Sequence, residues 1–188
     1  MEIGLNGIDL PLTNSTRISS SYYSLYMEHL WSIVTLTELK LYGSASSLLR
    51  CIFECYTKGL WFQYCSTEAD IELLNRDKFN KPFSLLVEQV EACCKNIDYE
   101  ISELSIAKKL NWKSLNSLTH AGSAQISRRI SKNNIGSNYN EKFISDMLRF
   151  SLNYGLLASG QLALISGEKV AENAVLEVSK LLFSNDLN

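Results

Sequence analysis

Proline is nearly missing from this chain, with 2 in 188 residues, at positions 11 and 82. Only 9 glycines accompany them, and no Ser/Gly-rich or low-complexity tract offers a place to divide the chain. The length suits one ordinary domain, which buries roughly 70% of the surface its unfolded chain exposes. No apolar run approaches the ~20 residues that span a bilayer, and the longest candidate, LLASGQLALISG, is broken by small and polar residues. The opening MEIGLNGIDLPLTNST has neither a basic start nor a long apolar core, so it does not read as a secretory signal. Histidine occurs twice, and no Cys or His pair stands at zinc-ligand spacing from Cys51 and Cys55. Phosphate loops and nucleophile triads are equally missing. The expectation is a cytoplasmic protein with no membrane partner, no metal, no cofactor and five unpaired cysteines, of which Cys93 and Cys94 are adjacent.

Charge is sparse overall, with a formal net of -2. It is unevenly placed. Between Leu104 and Phe150 there are 8 Lys and Arg against 2 acids, a local balance of +6, which leaves 10 minus 18, or -8, elsewhere. Such an asymmetry suits either a surface for phosphate groups or scattered solvated charge. Within it, Lys109, Lys113, Arg128 and Arg129 are the candidate nucleic-acid contacts, the arginines because a guanidinium offers a planar fork of donors.

What the chain has in quantity is helical periodicity. The stretch 45–65, ASSLLRCIFECYTKGLWFQYC, is apolar over more than half its circumference at 100° per residue, while Ser47, Arg50, Glu54, Thr57 and Lys58 form one narrow polar stripe that Trp61 extends. It predicts a central helix. Before it, Tyr22, Leu25, Tyr26, His29, Ile33 and Leu36 mark a helix capped by Asn14 or Ser15 and ended by Gly43, so that the two should form an antiparallel hairpin. Thr67 and Asp70 resemble a capping box, and Asn80-Lys81-Pro82 starts a further helix. The region 98–132 predicts helical pieces with breaks near Asn111 and at Gly122, and KNNIGSNYN an exposed loop. Phe143 to Leu157 and Val170 to Leu181 mark two last helices, with Gly155, Ala158, Ser159 and Gly160 leaving room for a close neighbour. The fold class is all-α: a leader over 1–13, one helical bundle of six or seven helices over 14–184, and a tail over 185–188.

Two groups of residues suit chemistry. Arg50 and Glu54 sit four apart on the central helix, either as a buried network or as a solvated pair. Trp112, Asn116 and His120 recur at i, i+4, i+8, and His120 has general acid/base reach near neutral pH. The alternative is a structural histidine. His29 reads as a core or interface residue.

Arg50-x3-Glu54-x4-Gly59-Leu60-Trp61 and Trp112-x2-Leu115-Asn116-x-Leu118-Thr119-His120-x-Gly122, followed by Arg128-Arg129, resemble an uncharacterised bacterial family of helical proteins over about 45–140. More remotely, the helical bundle and its central polar residues are similar to HEPN domains, many of which are ribonucleases or parts of defence and toxin systems. In those nucleases an Arg and a His a few positions downstream converge on the scissile phosphate. Here Leu115 stands five before His120 and Ser24 five before His29, so an equivalent site requires Arg50, Glu54, Asn116 and His120 to meet from different helices. The resemblance implies a metal-independent ribonuclease, with His120 as acid/base, Arg50 or Arg128 stabilising the phosphorane, and Asn116 orienting the phosphate or His120. The reading placed first is a non-catalytic module for RNA or a protein partner, self-associating as a homodimer.

Overall fold

A computed structural model describes residues 13–96, 104–131 and 133–183. The expected leader up to residue 12, the start of the 98–132 region and the tail lie outside the described residues.

The first helix, α1 (Asn14–Glu38), begins where Thr13 accepts from the Thr16 N–H while Thr16 reaches back to the Thr13 N–H. The cap is thus Thr13, one residue before the expected Asn14 and two before Ser15. Nor does Gly43 end this helix. The chain turns at Lys40, which takes a left-handed φ of 58°, and Leu41 closes the turn by donating to the Leu36 carbonyl. Gly43 instead lies inside a short α2 (Tyr42–Ser47), and after Leu48 the chain continues as α3 (Leu49–Tyr64). The central helix of 45–65 therefore exists with one joint at Leu48.

Helix α3 is the axis of the core, with Ile52, Phe53, Leu60 and Phe62 fully buried. It runs antiparallel to α1: Ser15 at the start of α1 bonds the Phe62 carbonyl near the end of α3, and Tyr23 meets Tyr56. The polar stripe is narrower than its sequence suggests. Thr57 is buried because its hydroxyl bonds back to the Phe53 carbonyl at 2.9 Å. Trp61 is buried because its indole N–H finds Gln89 Oε1 at 2.7 Å.

Next come α4 (Glu68–Asn75) and α5 (Phe83–Asn96), the latter starting just after Pro82. Helix α6 (Leu104–Thr119) is continuous through Asn111, against the expected break. The Asn111 amide simply bonds the Ala107 carbonyl one turn back. The expected break near Gly122 is present, between α6 and α7 (Ser123–Ile126). A 3₁₀ turn, Ser127–Arg129, leads into two short strands, β1 (Ile130–Ser131) and β2 (Asn134–Ile135), paired antiparallel. Residues 133–138 are exposed, as expected of that loop.

The chain closes with α8 (Glu141–Ser166) and α9 (Lys169–Phe183). Tyr26 donates to the Ser151 carbonyl at 2.6 Å, and Leu30 lies so close to Gly155 that a Cβ there would meet its Cδ2 at 2.8 Å. The small residues of α8 thus admit α1. Seven helices of eight residues or more stand among the described residues, and the class is all-α. None is long and apolar enough to cross a membrane.

The expected capping box of α4 is present, and it makes a pH prediction. Burial works to raise the Asp70 pKa, but bonds from the Thr67 hydroxyl and N–H and from Lys81 Nζ at 3.1 Å hold it below the ordinary carboxylate value. A depressed carboxyl contributes stability above its unfolded pKa of about 3.9 and loses it as pH falls through the lower folded value. Melting temperature should therefore drop below about pH 4 more steeply in the wild type than in Asp70→Asn, which starts about 1 kcal/mol less stable. Parallel curves through that window would refute the assignment.

Candidate functional site

The chemistry-bearing residues gather where α3 crosses α6. On α3 the i, i+4 spacing places Glu54 one turn below Arg50, and Arg50 Nε donates to Glu54 Oε1 at 2.7 Å. Lys58, a further turn on, stands 3.5 Å from the other carboxylate oxygen. The Arg50 and Glu54 side chains are 26% and 22% exposed, so the stripe is neither a buried network nor a freely solvated pair. At that exposure the pair contributes at most about 1 kcal/mol. Its effect is geometric, since it fixes Nε and leaves the outer guanidinium nitrogens facing α6.

Two groups, one on α6 and one just past its end, receive them. Arg50 Nη1 lies 2.6 Å from His120 Nε2, and the guanidinium carbon sits 5.0 Å from the Trp112 ring centroid. A guanidinium only donates, so His120 accepts through Nε2 and carries its own proton on Nδ1 in this arrangement. Trp112 is held in turn by Phe83 at the start of α5, with centroids 4.6 Å apart and planes 7° from parallel. The cation over the indole adds about 0.5–1 kcal/mol and restricts the arginine further.

His120 is exposed and sits just past the end of α6, where several contacts fix it. Its N–H donates to the Asn116 carbonyl, and the preceding Thr119 hydroxyl donates to the Ser47 carbonyl at 2.9 Å, tying the helix end to α2. The following Ala121 is left-handed at φ 51°, a conformation that costs a non-glycine residue roughly 1–2 kcal/mol. Gly122 is required next, because a Cβ there would come within 2.5 Å of Ser117 Oγ. That same oxygen accepts from the Ala124 N–H at 2.8 Å, locking the turn. Asn116, one turn before His120, has a buried Oδ1 with no hydrogen-bond partner.

The four expected basic contacts divide. Lys109 and Lys113 are exposed and, with Asn116 and His120, fall within about 60° of one another on α6, a stripe about 16 Å long on the side away from buried Leu104, Leu115 and Leu118. Arg128 turns inward: it lies 4.1 Å over the Phe143 ring and donates to the Ala124 carbonyl. A phosphate-stabilising role for Arg128 would first require breaking both contacts. Arg129 is exposed at the rim of a cleft with Gly43, Ser44, Thr119 and Gln125. Gln125 bridges Gly43, Ser46 and Tyr139 there, a docking role with no periodicity to announce it. His29, expected in the core or an interface, is partly exposed on α1. Among the described residues no three His, Cys, Asp or Glu side chains are placed to hold a metal ion.

A family model spans this arrangement and nearly the whole bundle. Residues 23–186 match a family of unknown function, DUF6988. The chain belongs to that family. Neither a curated protein nor a solved structure matches it. In this DUF6988 chain, what the site does must accordingly be argued from its own chemistry.

Proposed function

We propose that the protein is a nucleic-acid-binding module that takes RNA phosphates on the Arg50–His120 pair and along the lysine stripe of α6. The observation that supports this most is the Arg50 Nη1 to His120 Nε2 contact of 2.6 Å at a part-exposed seam. It aligns two phosphate-binding side chains from different helices, with Glu54 engaged on the far side of the guanidinium. Lys109 and Lys113 continue the positive line away from it. Phosphate contacts of this kind make binding depend on salt, by about 0.7 in log–log slope for each contact to a single strand.

The same contact favours a second reading, a metal-independent ribonuclease in which His120 transfers the proton and Arg50 stabilises phosphorane charge. One experiment separates the readings: labelled RNA is incubated with the purified protein, with and without EDTA, and run on a low-salt gel-shift. The binding reading expects retardation without cleavage. Arg50→Ala should weaken binding at least tenfold, and Lys109→Ala with Lys113→Ala should lower the salt slope by about 1.4. EDTA-resistant cleavage lost in His120→Ala, with helical circular dichroism unchanged, would select the nuclease. Neither shift nor cleavage would reject both and leave a protein partner or a homodimer, which light scattering on the same sample reads.

A further inference from the structure

Three of the five free thiols gather where the end of α3 meets α5, away from the Arg50 site. Cys65 caps α3, and its Sγ lies 3.6 Å from the carbonyl oxygen of Gln89. In helix α5 that carbonyl also faces the N–H of Cys93 one turn on, so the Cys65 sulfur is laid against Cys93. Cys93, and after it Cys94, stand near enough to act on the Cys65 thiol electrostatically. The bond from Trp61 Nε1 to Gln89 Oε1, 2.7 Å long, holds the same crossing in register. Cys65 and Cys93 are both part-exposed, whereas the neighbouring Cys94 is buried.

We propose that Cys65 and Cys93 are a redox modification site, closing to a disulfide under peroxide and tying α3 to α5. The Cys93 sulfur attacks one peroxide oxygen, the O–O bond breaks, and a water leaves as Cys93 becomes a sulfenic acid. The Cys65 sulfur then attacks that sulfur, the S–O bond breaks, and a second water leaves. In sum two thiols lose two electrons and two protons, which the peroxide takes up. Cys65 holds its S–H against the Gln89 carbonyl and burial pushes that thiol up, so Cys93 is the sulfur oxidised first and Cys65 the one that resolves it. Excess dithiol reverses the reaction by exchange.

The test uses the full chain. It is treated with hydrogen peroxide, its remaining thiols are alkylated, and it is analysed by intact mass and peptide mapping. The expected product is lighter by two hydrogens before alkylation, carries a linked Cys65–Cys93 peptide that dithiothreitol removes, and melts about 5–10 °C higher. Cys65→Ser and Cys93→Ser should each abolish the linkage, while Cys51→Ser keeps it. Recovery of both cysteines as alkylated thiols, a bridge through Cys94, or Cys93 oxidised to sulfinic acid without a bridge overturns the proposal. A bridge that lowers the melting temperature overturns the tie between the helices. Mapping of the wild type decides these outcomes even where a serine variant folds poorly.

Discussion

Gly59→Ala should lower the melting temperature by about 5 °C, a loss of about 2 kcal/mol. Alanine favours helix over glycine by about 1 kcal/mol, so an exposed site would give the opposite sign. Here a Cβ would stand 2.4 Å from Tyr23 Cε1, 2.8 Å from Cζ and 2.9 Å from Cδ1. That ring is fully buried and cannot swing aside, because its hydroxyl donates to Gln63 Oε1 at 2.8 Å and its face tilts onto Tyr56. Relief requires moving α1 away from α3, the most closely packed pair in the bundle. Gly155→Ala is the control. Its Cβ would crowd the Leu30 Cδ2 end at 2.8 Å, which a rotamer change can withdraw, while Tyr26 Cε1 stands at an ordinary contact distance of 3.5 Å, so its melting point should stay within about 3 °C of the wild type. Thermal and urea melts of both variants check this. Equal effects would mean that the helices separate freely at Gly59.

That close approach marks what the sequence made legible and what it hid. The apolar periods of α1, α3, α5 and α8 were readable because each helix buries one continuous face, and the Thr67–Asp70 box because both of its partners lie within one turn. Helix ends were harder. A left-handed lysine at position 40 stops α1, with its own N–H bonding Thr37 and the Leu41 N–H bonding Leu36, whereas composition pointed to the glycine three residues on. Thr57 and Trp61 looked polar, yet each satisfies its polar atom locally or across to α5 and is buried. The site was legible as residue types and not as geometry. Arg50 and His120 are 70 positions apart, and no local period can report that α3 and α6 bring them to 2.6 Å. Phe83, which holds Trp112, had no polar atom to draw attention, and Arg128 had every sequence attribute of a phosphate ligand except a free side chain.

The link from core to site makes the second large prediction. Phe53→Ala should cost about 3–5 kcal/mol, and the melting point should fall by about 10 °C. Phe53 is fully buried, with its ring 5.6 Å from Phe83, 6.1 Å from Phe150 and 5.3 Å from Tyr154. Removing it leaves a cavity walled by aromatic rings that are braced by one another and close poorly. Phe53→Leu retains most of the volume and should cost about half as much. The loss is not confined to the core, because Phe83 rests on Phe53 on one side and on Trp112 on another, and Trp112 carries the Arg50 guanidinium. Residues so connected do not act independently. In a double-mutant cycle, Phe53→Ala and Trp112→Ala together should destabilise by at least 0.5 kcal/mol less than the sum of the single variants. Strict additivity would show that Phe83 keeps its place without Phe53. The Arg50 platform would then be built at the α3–α6 seam alone, and core variants should leave the proposed RNA binding untouched.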